Sequence, residues 1–562
     1  MKIIKLYPLL IFLLISTFIL PGCENFFNNP SNLELTITTS HESGFYENEF
    51  FLSVTTNKTA AIFYTTDGST PSKDSNKYVE PLKISNVCSS PNTISMIDNI
   101  SSIDVYFPTT LVDKCVIFKA IAITASKETS TIISKTFFVG FNDKESYNNI
   151  PIISLIMDQN DLFDYQSGIY VTGKTFDENE HSGYPETHPA NYNQKGKKWE
   201  RPANFTYFDE NKKFIFNQEI GIRIHGGWSR AFNQKSFNLY ARKEYSETKS
   251  FQETFFDTDS LQSFMLRSGG YRDTFITKVR DSLNQDLVQN EKFSVQNSFP
   301  CILFLNGEYW GIYNLQERFT EYYVEEHYGI NKDNVIIVEN DEIDEGLDSD
   351  IAYYEELLNF FKNNSFESSE NYAKVHNYID VEEFAQYMST ELYVGNIDWP
   401  GNNVRLWRAR ETDNSQYGDG KWHFMMYDTD DSSNILSNKC SYESNPFLNT
   451  NHWKDGPLDN DCILGLMLSK LLKNNEFKNI FVDTFKRIGS ENFSPYKVEK
   501  YLDDKIALLG NSMQMFYQRF VSSDIETYNK EYFVEQINVI KDFFNNRYSN
   551  AIQFLYNALE NI

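Results

Sequence analysis

The sequence predicts an α+β protein: an N-terminal β-sandwich followed by a larger mixed unit whose C-terminal part is helical. Three observations predict it. Residues 33–140 carry short stretches of alternating apolar and polar residues separated by turn chemistry. Residues 150–435 mix apolar strand-like runs with segments of helical spacing. Residues 459–560 place apolar side chains three and four apart, as in Ile463/Leu466/Met467 and Phe533/Ile537/Ile540/Phe544. With 562 residues, 41% of them hydrophobic and 16% aromatic, the chain has material for several domain-sized cores.

The chain opens with Lys2 and Lys5 before an apolar run, Leu6 to Leu20, too short to span a membrane comfortably. The run ends in Leu20-Pro21-Gly22-Cys23, which resembles a bacterial lipobox. Residues 1–22 are therefore expected to be a lipoprotein signal peptide and Cys23 the lipidated first residue, with 23–32 a polar tether. This implies an extracytoplasmic protein held to a membrane by lipid. Outside the cytoplasm disulfides are permitted, and Cys88–Cys115 and Cys440–Cys462 are the sequence-near pairs. No Cys has zinc-type spacing.

The expected sandwich runs from Leu33-Glu-Leu-Thr-Ile-Thr-Thr through Ala60-Ala-Ile-Phe-Tyr-Thr-Thr to Val116–Ile123 and Thr131–Val139. Asp67-Gly68-Ser69-Thr70-Pro71 supplies a turn. The stretch YTTDGSTPS with the later FKAIAIT resembles the sandwich found at the C-termini of chitobiases and hexosaminidases, a module read here as a spacer. Residues 140–149 read as a polar linker, and the second unit, 150–562, starts at the strand Pro151-Ile-Ile-Ser-Leu-Ile-Met. Two strands, about 219–224 and 235–241, flank a loop holding Gly226, Gly227, Ser229 and Arg230. Such glycines let backbone amides approach phosphate oxygens, while Arg223, Arg230 and Lys235 supply local positive charge. His225 is read as packing beside Trp228. Residues 274–289 have helical spacing. Phe299–Asn314 reads as a hairpin turning at Asn306-Gly307, with Glu317 just beyond. The acidic run 339–350 reads as a solvated loop, and helices over about 350–363 and 381–394 deliver the chain to Asp398.

Asp398 is followed five residues later by Asn403, then by a strand, Val404–Trp407. A second apolar run, Phe424–Tyr427, ends in Asp428, Asp430 and Asp431. Carboxylates at a strand end suit hard cations such as magnesium. The order loop Asp, Asn, strand, strand-end Asp is also that of a kinase catalytic loop and metal site. The net charge of −27 repels phosphate backbones and excludes nucleic acid as a partner.

Six segments in order resemble the spore-coat-protein-H-like (CotH) kinase family: PIISLIMDQNDLFDYQSGIYV, WERPANFTYFD, GIRIHGGWSRAFNQKSFNLYAR, LFLNGEYWGIYNLQERF, NIDWPGNNVRLWR and WHFMMYDTDD. The resemblance implies an atypical protein-kinase-like fold and transfer of the γ-phosphoryl of ATP, with Mg²⁺ or Mn²⁺, to Ser or Thr of secreted or surface proteins. A basic, Ser-rich acceptor would suit the charge. It implies Asp398 as the catalytic-loop Asp, and Asp428 with Asn403 as metal ligands, Asp430 being the alternative to Asp428. It implies Lys235 as the phosphate-contacting lysine, the 226–230 loop over the phosphates, and Glu317 as a nucleotide-site acid or partner of Lys235. Where relatives show a Gly after the second Asp, this chain has Asp431, and Gln234 stands where a second Lys is common. The other reading is a surface-binding protein using a kinase-like scaffold.

Overall fold

Alternation explains the strands of the N-terminal module. In the computed structural model, which describes residues 34–103, 105–256, 258, 260–448, 457–458 and 462–561, these strands form a five-stranded sheet and two two-stranded ribbons around Leu52, Val54, Phe118 and Phe137. The signal segment, the tether and Cys23 lie outside the described residues. The long strands Val116–Ile123 and Ile133–Val139 bury one face fully and the other in part. Phe118, Ala120, Phe137 and Val139 face the module's own core, while Ile117 and Phe138 face the second unit. Phe138 packs edge-on against Phe208 and Phe304 of that unit.

The expected linker is part of this junction. Phe141 and Tyr147 are fully buried, because the segment 140–149 fills the seam between the module and the second unit. The module is therefore docked on the second unit and is no detached spacer. Glu308 accepts hydrogen bonds from Thr93 N, Thr93 Oγ1 and Ser95 N. The excursion between Leu82–Ile84 and Val116–Ile123 reaches further: Ser101 Oγ donates to Ala231 O at 2.6 Å, and Tyr192 OH donates to Ser102 Oγ.

The second unit begins with a closed barrel. Its strands run in the order Ile152–Ile156, Arg201–Phe208, Phe214–His225, Ser236–Tyr240, Ser263–Arg267, Glu308–Glu317 and Ser298–Leu305, the last pairing in parallel with the first. Ile153, Leu155, Ile222, Leu239, Leu266 and Leu303 fill its interior, and Ile152, Ile302 and Ile312 face outward into the larger core. The hairpin turns at Asn306 (φ 44°) and Gly307 (φ 85°), as its Asn-Gly pair requires.

Two expectations are corrected. The helix expected over 274–289 is confined to Arg280–Asp286, because Lys278 takes φ 64° and sends its amino group to Gln234 Oε1 and Ser268 O. The acidic run 339–350 is ordered: Glu342–Glu345 pairs with Val335–Glu339, Asp350 is bonded by Arg410, and Glu339 and Asp344 by Arg405. These strands, with Arg405–Ala409 and His423–Met425, make a four-stranded antiparallel sheet. Helices Ile351–Asn363, Val381–Val394, Ile463–Leu471, Asn475–Arg487, Pro495–Phe520 and Lys530–Glu560 pack around it. Cys88, Cys115, Cys301 and Cys440 are free thiols, so neither sequence-near pair is bridged.

Candidate active site

The helix Val381–Val394 ends at Gly395 in the left-handed conformation, which turns the chain sharply into the Asp398 loop. Asn396 Oδ1 accepts from Asp398 N and fixes the turn. The strand His423–Met425 ends just before Asp428. Two backbone bonds, Ile397 N to Asp431 O and Ser433 N to Val394 O, lace the two segments side by side. Asn403 then bridges them. Its Nδ2 donates to Asp398 Oδ2 at 3.1 Å and to Asp428 O at 3.4 Å, which turns its carbonyl oxygen the other way. Asn403 and Asp428 both hold positive φ, 57° and 56°. Asn and Asp are the non-glycine residues that enter this region most readily, so the sequence suits both turns. Asp398, Asn403 and Asp428 thus share one locality.

The acids after the strand have different surroundings. Asp430 has a side chain only 4% exposed; it accepts from Arg267 Nη2 at 2.6 Å and from Tyr271 N at 3.0 Å. Asp428 also accepts from Arg267 but leaves its side chain 36% exposed. Burial and the Asp428 charge push the Asp430 carboxyl far above the usual range. Burial works against the Asp428 carboxylate, yet the Arg267 guanidinium and hydrogen bonding from Asp430 outweigh it and hold its pKa at about 2. Asp428 is the charged member that faces outward, and Asp430 is a buried strut between Arg267 and the turn at Tyr271. Asp431 accepts from Arg272 Nε through Oδ2, while its buried Oδ1 has no hydrogen-bond partner among the described residues.

Sequence reasoning missed the supports of this turn. Asp281 accepts from Thr429 N and Oγ1, and Asn284 donates to Thr429 and Ser432. Their signal was the pair Gly269-Gly270, one residue beyond an Arg-ending strand. Gly270 has φ 80°, and a Cβ there would sit 2.1 Å from Asp430 Oδ1. Gly270→Ala is therefore expected to lower stability by about 2–4 kcal/mol, from left-handed strain plus displacement of a buried ion pair. A urea unfolding midpoint matching the unmutated chain would contradict this close packing.

The glycine loop borders the same region. His225, at the end of its strand, lies in the fields of Arg318, Arg230, Arg267 and Asp428. Trp228 pairs with Tyr184 and Tyr271 instead of His225. Burial and the three guanidiniums hold the His225 pKa down to about 3, so the ring is neutral at pH 7. In the unfolded chain it would titrate near 6.5. Between these values the unfolded state binds more protons, so this contribution is complete above about pH 6.5 and falls away on acidification toward 3. The loss is a part of the ~1.4 kcal/mol per pH unit that a one-proton difference gives, since the ring is only partly buried. Wild type should lose more melting temperature than His225→Gln between pH 7 and pH 5; parallel profiles would mean a solvated imidazole.

Gly226 takes φ 109°, and Gly227 leaves open space where a Cβ would stand, so the loop backbone is accessible. Ser229 is buried beneath it. Arg230 is committed to the loop itself: Nε donates to Gly226 O, and Nη1 to Tyr192 O and Gln194 O. Lys235 departs furthest from its expected role. It is fully buried, donates through Nζ to Phe232 O and Arg230 O, and lies 4.0 Å from the ring centre of Tyr192. Burial, with Arg230 nearby, drives its pKa well below the usual lysine value. Glu317 does not pair with it. Glu317 Oε2 accepts from Asn297 N and Nδ2, and Oε1 lies 2.8 Å from His327 Nε2. Lys235 and Arg230 brace the loop, and Glu317 braces the end of its strand.

The residues fit a hard cation in a limited way. Among the described residues no three His, Cys, Asp or Glu side chains form a metal cage. The Asp428 carboxylate, the side-chain carbonyl of Asn403 and the orphaned Asp431 Oδ1 are nevertheless all hard oxygen donors. One or two carboxylates are what magnesium takes when substrate phosphates complete its shell.

A barrel carrying a glycine loop, set beside a helix–loop–strand that brings Asp398, Asn403 and Asp428 together, defines a kinase-like protein. The model of the family described as CotH kinase protein matches residues 222–551, more than half of the chain, and one described as Fn3 associated matches residues 52–137, within the sandwich. The chain belongs to the CotH kinase protein family. No curated protein matches it.

Proposed function

We propose that this protein is a protein kinase that transfers the γ-phosphoryl of ATP to Ser or Thr hydroxyls of secreted or surface proteins. The observation that carries this reading is the bridge of Asn403 between Asp398 and Asp428. Phosphoryl transfer asks little covalent chemistry of a protein and depends on positioning and charge neutralisation. Asp398 orients the acceptor hydroxyl and accepts its proton. Asp428 and Asn403 would hold Mg²⁺ or Mn²⁺, which would neutralise charge on the phosphates. The open backbone at Gly227, next to Gly226, would cover the phosphates, with Ser229, Arg230 and Lys235 setting the shape of that loop. The strongly acidic surface favours a basic, Ser-rich acceptor. A lipid on Cys23 would hold the enzyme at an extracytoplasmic membrane face; no helix among the described residues is long and apolar enough to cross a membrane.

A second reading, a surface-binding protein on a kinase-like scaffold, is favoured by one observation: Arg267 occupies both Asp428 and Asp430, and Lys235 is turned inward. The deciding experiment incubates the full chain with labelled ATP and magnesium or manganese. Label on the chain or on a basic Ser-containing peptide supports the kinase. Absence of both transfer and ATP binding supports the scaffold.

A further inference from the structure

A pocket of about 420 Å³ lies where the N-terminal module meets the helix Pro495–Phe520. It is lined by Val112 and Asp113 from the module, by Tyr309 of the barrel hairpin, and by Gln514, Gln518 and Arg519 of the helix. None of Asp398, Asn403 or Asp428 lines it.

Arg519 is the unusual member. It is 2% exposed, with its guanidinium 4.7 Å from the ring centre of Trp310 and 4.3 Å from that of Phe520. Its Nε and Nη2 have no hydrogen-bond acceptor among the described residues. A buried guanidinium stacked on aromatic rings but without an acceptor is costly. Burial lowers its pKa to about 10, which leaves it charged at pH 7.

The nearby acids make their hydrogen bonds elsewhere, although the field of Glu308 reaches Arg519. Glu308 accepts from Thr93 and Ser95. Asp113 pairs with Lys144 and accepts from Tyr147 OH. Glu145, also on the lining, accepts from Asn511 Nδ2 at 3.4 Å. The cation therefore faces a cavity of small-ligand size whose walls add the amides of Gln514 and Gln518. Leu111, 54% exposed, adds apolar surface to the lining.

We infer that this pocket binds a small oxyanion, a carboxylate or a phosphate, whose charge is received by Arg519 and whose neutral oxygens are met by Gln514 and Gln518. Guanidinium is suited to either group because its forked donors match two oxygens at once. The inference is independent of the kinase reading.

The test titrates the full chain with citrate and, separately, with inorganic phosphate at matched ionic strength, reading melting temperature and calorimetric binding. Either anion should raise the melting temperature saturably, while chloride should not. Citrate alone would assign a carboxylate ligand, and phosphate alone a phosphate ligand. Arg519→Met should weaken binding at least about tenfold, the loss of one charge-assisted contact. Gln514→Trp keeps the guanidinium and fills the cavity; it should remove the shift even if Arg519→Met folds poorly. No saturable shift in wild type would overturn the inference, and so would a shift that survives both substitutions.

Discussion

Replacing Asp398 by Asn should reduce phosphoryl transfer by about 10²–10⁴-fold, the range that a positioned general base contributes. The fold should persist. Asp398 sits in a loop and accepts from the amides of Asn402 and Asn403, and an Asn side chain can keep part of that arrangement through its own oxygen. In the proposed reaction, the substitution removes the negative charge that would receive the acceptor proton. Binding of ATP should change little, so the effect should appear in kcat and leave the nucleotide KM close to wild type. Unchanged transfer by Asp398→Asn would remove this residue from the chemistry.

Replacing Asp428 by Asn should separate from this by its metal dependence. Asp428 is the outward-facing acid, and Asp281 and Asp430 remain in contact with Arg267. Loss of its charge should weaken magnesium-dependent ATP binding by at least about tenfold and shift the magnesium requirement upward. Melting temperature should fall only modestly, because the buried strut to Arg267 survives in Asp430. If nucleotide affinity and magnesium dependence were both unaltered, the cation site would not be here.

Much of the fold could be read from local patterns. Alternation marked the module strands, Asn306-Gly307 marked the hairpin, and helical spacing marked the C-terminal part. Barrel closure could not be read in this way. It depends on parallel pairing of Ile152–Ile156 with Ser298–Leu305, two apolar runs far apart in sequence whose partner neither run encodes. The acidic run was misread because Arg405 and Arg410, which neutralise it, come from a later strand and its flank.

The site divides in the same way. Asp398, Asn403 and Asp428 were legible because adjacent segments deliver them. Arg267, Asp281 and Asn284 were not, since they come from a strand and a helix about 150 residues earlier. Residue type alone also did not reveal how deeply Lys235 is buried. A lysine beside a glycine loop suits phosphate, but here its side chain turns back on its own loop and meets carbonyls and tyrosine faces.

The seam at Phe138, Phe141 and Tyr147 makes the sandwich and the barrel a single cooperative body. A protein cut to begin at residue 150 would present Phe208 and Phe304 to water as a sticky patch, and Glu308 would lose its donors. The same coupling, through Ser101 and Ala231, means that a pull or a bound partner on the small module would be felt at the glycine loop.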